Sequence, residues 1–175
     1  MPSDLEVLAD VDRLRAIAAY DLFNPDLAAE LQEICRETAE RLGAPMIAVQ
    51  AVLDTATATL ATNAGEGDFL AALGGSPNEF SFCPQVVIDR APYVEGDLAS
   101  VPAHAGNPAV RGGLVRSYAG VPLVLPTGEV LGSHCVMAPE THVFTDAELA
   151  ELTRAAGEVM TVIERYETPA GSLSA

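Results

Sequence analysis

Residues 116–137 read RSYAGVPLVLPTGEVLGSHCVM. Two apolar runs, Ser117–Leu125 and Val130–Met137, flank Pro126-Thr127-Gly128. Proline presets one backbone angle of a turn and glycine tolerates positive φ, so the segment predicts a β-hairpin. Downstream, Thr145 and Glu148 have the spacing of a capping box, and Phe144 is placed to staple onto Leu149. Leu149, Leu152, Ala156, Val159, Ile163 and Tyr166 then alternate by three and four, which predicts a C-terminal helix. Thr168–Ala175 carries no stripe and is expected to be a disordered tail.

Upstream of the hairpin, Ala91–Arg116 is an irregular crossover punctuated by Pro92, Gly96, Pro102 and Gly106. Within it Asn107-Pro108 starts a brief helix that stops at Gly112-Gly113. Gln85–Ile88 reads as a short strand and Asp68–Leu73 as a turn or two of helix closed by Gly74-Gly75. Met46–Leu53 and Thr55–Thr62 form a second hairpin around Asp54. Asn24 caps a helix that Pro25 opens and Gly43 ends; its stripe is Leu27, Leu31, Ile34 and Leu42, with Thr38 a half-polar member. Leu5, Leu8, Val11, Leu14 and Ile17 or Ala18 mark one further helix over residues 4–19.

Strands in pairs with helices at both ends indicate an α+β fold built on an antiparallel sheet, with helices covering one face. The expected division is an N-terminal helix over 1–20, a domain over 21–167 and a tail over 168–175. A long crossover with little regular structure is a candidate binding loop.

Charge narrows the function. The 175 residues hold 25 acidic and nine basic side chains, a net −16, and every basic residue is arginine. Without lysine there is no aldimine to pyridoxal phosphate or retinal and no phosphate-loop lysine. The negative field argues against nucleic acid and anionic membranes as partners. The acidic excess is six in residues 1–43, six in 44–143 and four in 144–167, so the terminal helical segments are the more acidic per residue. If those helices pair two copies of the chain, added salt should strengthen the dimer. No apolar run reaches membrane-span length, and the acidic start MPSDLEVLAD is unlike a signal peptide, so a cytoplasmic protein is expected. Cys35, Cys83 and Cys135 are an odd number at wide spacings, which suits reduced thiols.

A series of motifs then follows in order: Phe82-Cys83, Val86-Val87-Ile88, Asp97, Asn107-Pro108-Ala109-Val110, Arg116 to Leu123, Pro126-Thr127-Gly128, Leu131 to Val136, and Phe144-Thr145. Over about residues 21–167 this resembles GAF domains, the sensory and ligand-binding modules of bacterial signalling proteins. The resemblance implies a PAS-related sheet of five or six antiparallel strands. It places the N- and C-terminal helices on one face and a small-molecule cavity under the crossover on the other, and it implies homodimers that pair through terminal helices. Covalent bilin is not expected, because Val101–Ser117 holds His104 but no cysteine. The Asn-Lys-Phe-Asp-Glu series of cyclic-nucleotide members is absent. Cys83 matches one cysteine of the free methionine sulfoxide reductases of this fold, but the cysteine they use in the crossover is missing.

The candidate ligand-binding residues are Phe82, Cys83, Asp97, Asn107, Arg111, Arg116, Tyr118 and His134. Each has a plainer reading. Cys83 and Cys135 are a redox pair or two small buried hydrophobes, the second being favoured. Cys35 is a helix-packing or dimer-contact residue. His134 is polar inside an apolar strand, opposite in alternation to Ser133 and Cys135, and either faces the cavity or is a hydrogen-bonded structural histidine. Arg116 shares a face with Tyr118 and either clamps an anion or pairs with Asp97. Asp97 and Asn107 also serve as turn and cap residues. His104, His134 and His142 lack metal-ligand spacing, and no cofactor is expected. The expected function is a non-enzymatic sensory domain that binds a small molecule or a protein partner. The alternatives are a thiol-dependent free methionine sulfoxide reductase and a ligand-free dimerisation module.

Overall fold

In the computed structural model, residues 3–64 and 72–169 are described. The chain forms helices α1 (Asp4–Leu8), α2 (Val11–Ala18) and α3 (Pro25–Leu42), strands β1 (Met46–Val52), β2 (Ala56–Thr62) and β3 (Gly75–Pro77), and helix α4 (Cys83–Asp89). Strand β4 (Tyr93–Glu95), helix α5 (Pro108–Arg111), strands β5 (Ser117–Val124) and β6 (Val130–Ala138) and helix α6 (Asp146–Glu164) follow. The six strands make one antiparallel sheet in the order β3-β2-β1-β6-β5-β4, an α+β arrangement with the 116–137 hairpin at its centre. Gly132 lets β6 close on β1, since a β-carbon there would lie 2.0 Å from the Gln50 carbonyl oxygen.

The two faces of the sheet carry separate cores. On one, Leu27, Leu31 and Cys35 of α3 and Leu152, Val159 and Ile163 of α6 pack on Ile47, Val49, Ala119 and Val121. On the other, Phe82, Cys83, Val86 and Val87 pack on Ala48, Val52, Tyr118, Cys135 and Met137. Bulges decide which residue faces which side. The β5–β6 register skips Leu131, so Leu131 joins the helical core while its neighbour Val130 joins the other.

Four expectations are corrected. The single helix over 4–19 is two helices, broken where the Asp10 side chain caps α2 by accepting from the Arg13 N–H. The segment therefore crosses from one core to the other, with Leu8 in the cavity-side core and Ile17 in the helical one. Arg13, only 2% exposed, sits between them. Gln85–Ile88 is not a strand but part of α4: Pro84 suits the first helical turn, and Cys83, Val86 and Val87 bury with helical spacing. The crossover is less irregular than expected, because it contains β4 and a 3₁₀ turn over Leu98–Ser100. Thr168 does not hang free, since its N–H donates to Ala19 O beside a Tyr20–Glu167 bridge. Residues 170–175, and most of the helix expected over Asp68–Leu73, lie outside the described residues.

The capped helices form as read. Asn24 accepts from Asp26 N and Gly43 closes α3 at φ 61°. Thr145 and Glu148 complete a reciprocal capping box on α6. Thr38, the half-polar stripe member, is fully buried. Among the described residues no helix is long and apolar enough to cross a membrane.

Candidate functional site

The face of the sheet away from α3 and α6 is roofed by α4, the turn before it and α5. Between roof and sheet lies a cavity of about 330 Å³, lined by Gln50, Phe80, Phe82, Cys83, Asn107, Ala109, Leu114, Val115, Tyr118 and Met137, among others. Phe80, Leu73 and Leu114 stay exposed and form an apolar mouth. No charged side chain lines the cavity among the described residues.

Four of the eight candidate residues come together here: Phe82, Cys83, Asn107 and Tyr118. Tyr118 is fully buried on β5 and packs against Phe82 (ring centroids 5.5 Å) and Tyr93 (6.0 Å). His104 closes the cluster edge-on to Phe82 at 5.1 Å, its Nε2 2.7 Å from the Tyr93 hydroxyl. Burial lowers the His104 pKa, favouring a neutral ring, and raises that of Tyr93 to about 12.

Asn107 is used locally: it accepts from Ala109 N at 2.9 Å and donates to Phe80 O at 3.0 Å. It thereby ties the start of α5 to the cavity mouth. Cys83 is different. Its sulfur accepts from the Ser133 hydroxyl (3.1 Å) and the Tyr118 hydroxyl (3.3 Å), and Cys135 is buried in the same cluster. The neighbouring Cys135 thiol leads in lowering the Cys83 pKa below the ordinary thiol value, against the opposing effect of burial. Cys135 is raised in turn by Cys83, as is buried Tyr118.

The other four candidates do not line the cavity. His134 lies on the opposite face, fully buried, with Nδ1 3.0 Å from Ala48 O and Nε2 3.5 Å from Thr38 Oγ1 of α3. Alternation along β6 sends it there, and the structural reading replaces the ligand-binding one. Arg116 and Asp97 pair with each other at 2.5 Å in a half-exposed position, and Asp97 also accepts from Ala99 N. That pair pins the crossover rather than a ligand. Arg111 is exposed on α5. Cys35 packs between α3 and β2, 3.9 Å from Ala61 O, and burial pushes its thiol up to about 12.

Gln50 was missed. It is 7% exposed, lies on the cavity face of β1, and its Oε1 accepts from Thr59 Oγ1 at 2.9 Å. Its Nε2 has no partner among the described residues, so the cavity wall carries a free amide donor. A glutamine in the apolar run Met46-Ile47-Ala48-Val49-Gln50-Ala51-Val52 was the available signal. No group of residues suited to a metal ion occurs among the described residues.

A profile of the GAF domain family matches residues 25–164. A search of curated proteins returned no significant match. Among solved structures, the GAF domain of a phosphoenolpyruvate-protein phosphotransferase from Coxiella burnetii superposes with a TM-score of 0.66 at 20% identity, covering 94% of this chain and 96% of that one. A type II free methionine-R-sulfoxide reductase from Thermoplasma acidophilum gives 0.65 at 16% identity over 85% of this chain and 99% of that one. A free methionine-R-sulfoxide reductase from Neisseria meningitidis gives 0.62 at 17% identity over 81% and 80%. At such identities the likeness establishes the fold alone.

Proposed function

Because this chain belongs to the GAF domain family, we propose that it is a regulatory ligand-binding module whose cavity takes a small, uncharged, largely apolar molecule. The observation that carries this reading is the lining: about 330 Å³ walled by Phe82, Val115, Tyr118 and Met137, with no charged group and one unpartnered amide donor, on Gln50, among the described residues. Ligand sites of this kind are mostly apolar with a few placed polar groups that fix orientation. An acceptor on the ligand, such as a carbonyl or ether oxygen, would satisfy Gln50 Nε2. Binding would signal only by favouring one arrangement of the roof over another.

Native mass spectrometry of the purified protein, with thermal-shift screening of small uncharged aromatic and aliphatic compounds, tests the reading. Compounds that stabilise the wild type should fail to stabilise Ala109→Phe, which fills the cavity. Stabilisation undiminished in a folded Ala109→Phe protein, or no binding by any such compound, would overturn it.

Cys83 on the cavity wall supports a second reading, reduction of free methionine sulfoxide. That substrate is a zwitterion, and the described lining has no charge to meet either end. Turnover of methionine sulfoxide that is lost in Cys83→Ser would establish this reading over the first.

A further inference from the structure

Two of the three cysteines lie in the one buried cluster beneath the cavity, and the hydroxyls gathered on one of them are not explained by packing alone. Cys83 begins α4 on the cavity wall, while Cys135 lies behind it on the same face of β6 as Ser133, two residues away. Two hydroxyl donors converge on the Cys83 sulfur, Ser133 at 3.1 Å and Tyr118 at 3.3 Å, and Cys135 belongs to the same buried cluster. A neutral buried thiol needs no such set, because it behaves as a small hydrophobe. Two hydroxyl donors suit a sulfur that carries negative charge. The third cysteine shows the contrast: in the opposite core the Cys35 thiol lies 3.9 Å from the Ala61 carbonyl oxygen, and no hydroxyl hydrogen-bonds it among the described residues.

We propose that Cys83 and Cys135 form a dithiol site that reduces small hydroperoxides reaching it through the apolar cavity, and that the site ends as a Cys83–Cys135 disulfide. In the first step the Cys83 thiolate attacks the terminal peroxide oxygen. An S–O bond forms, the O–O bond breaks, and the alkoxide leaves and takes up the proton that the thiol gave up, becoming an alcohol. Sulfur loses two electrons to the peroxide and becomes a sulfenic acid. In the second step the Cys135 sulfur attacks Cys83. The S–S bond forms, the S–O bond breaks, and the oxygen departs as water with the Cys135 proton. Hydroperoxide is the only oxidant required.

The disulfide takes the acceptor sulfur away from Tyr118 and Ser133, so oxidation alters the cavity wall itself. The proposal does not depend on a resident ligand, and an alkyl hydroperoxide with an apolar tail should be preferred over hydrogen peroxide because the mouth is Phe80, Leu73 and Leu114.

The test treats the reduced full-length protein with one equivalent of cumene hydroperoxide or hydrogen peroxide. The reaction is then quenched in denaturant with an alkylating agent, and intact mass and peptide mapping are read. The expected product lacks two hydrogens, alkylates only at Cys35 and maps to a Cys83–Cys135 crosslink, with Cys83 consumed more than about tenfold faster than Cys35. In Cys135→Ser, and in Cys135→Ala should the serine variant misfold, dimedone should trap a sulfenic acid at Cys83. Full alkylation of Cys83 after peroxide, or oxidation of Cys35 at an equal rate, would overturn the proposal. So would a Cys135 variant that gives no adduct.

Discussion

Tyr118 folds back over Gly120, two residues along the same strand, so closely that a β-carbon at position 120 would lie 2.2 Å from the Tyr118 hydroxyl oxygen. The glycine opposite Cys135 thus makes the room in which the Tyr118 phenol, the Ser133 hydroxyl and the Cys83 thiol gather. Strand alternation puts 118 and 120 on one face, and only a residue without a side chain lets a tyrosine lie flat along it.

Gly120→Ala should therefore displace Tyr118 and destabilise the fold by about 1–3 kcal/mol, the usual effect of forcing atoms into a packed interior. Urea denaturation measures the loss, and faster alkylation of native Cys83 would report the opened cluster. A variant of wild-type stability and wild-type Cys83 reactivity would show that Tyr118 has another position available.

The Arg13 guanidinium fastens the N-terminal segment to the end of the sheet. Its Nε donates to Val130 O at 2.9 Å, Nη1 to Leu8 O at 3.0 Å and Nη2 to Val52 O and, at 3.5 Å, to Leu131 O, and no carboxylate hydrogen-bonds it among the described residues. Burial lowers its pKa, yet the carbonyl set keeps it partnered. Arg13→Met leaves four carbonyls on two strands and a helix without this donor, so a loss of about 3 kcal/mol or more is expected. Arg13→Lys should not restore it, because an ammonium lacks the planar fork that reaches separate carbonyls. Equilibrium unfolding checks the magnitude, and hydrogen exchange should show residues 3–20 opening first. Uniform exchange with unchanged stability would remove Arg13 from this role.

These relationships differ in how far they could be read from sequence. The central hairpin and α6 were legible because their signals are local: Pro126-Thr127-Gly128 makes the turn, and Thr145 with Glu148 makes the cap. The antiparallel α+β sheet followed from the strand pairs. Helix α4 was not legible, because Val86-Val87-Ile88 is β-branched throughout and only tertiary burial of positions 83, 86 and 87 selects the helix. Strands β3 and β4, three residues each, exist only by virtue of their partners. Of the candidate site residues, Phe82, Cys83, Asn107 and Tyr118 line the cavity. Asp97, Arg116 and His134 stand in the same motif series, but the Asp97–Arg116 pair and the pleat of β6 place them elsewhere, and Arg111 is exposed on α5. Arg13 falls outside the apolar stripe named over residues 4–19, and nothing local signals that it turns inward.

The cap on α6 offers a contrast to the buried sites. Thr145→Ala removes the acceptor for Glu148 N and leaves one helix-terminal N–H to water, an expected cost of about 1 kcal/mol. The cap is absent from the cavity lining, so ligand-dependent thermal shifts and Cys83 oxidation should match wild type. A changed oxidation rate would show that α6 communicates with the far face of the sheet.

His134 gives the fold an acid-sensitive element. Burial holds its pKa down to about 4, against 6.5 for a free histidine, with the Ala48 carbonyl and the more distant Glu158 as opposing influences. The carbonyl can only accept, so Nδ1 carries the hydrogen and the folded ring is neutral. Between pH 6.5 and about 4 the unfolded chain takes up a proton at this residue and the folded chain does not, so stability falls as the pH falls through that window. The contribution is complete above pH 6.5, and its loss levels off below about 4 at about 3 kcal/mol. Urea unfolding of wild type and His134→Asn at pH 7, 6 and 5 isolates it, because carboxylates with lowered pKa, such as Glu151 at about 2, titrate below this range in both proteins. The asparagine retains a donor for Ala48 O and should flatten the dependence over those three conditions. Parallel pH profiles for the two proteins would mean that His134 is charged in the fold, or that another group carries the acid response.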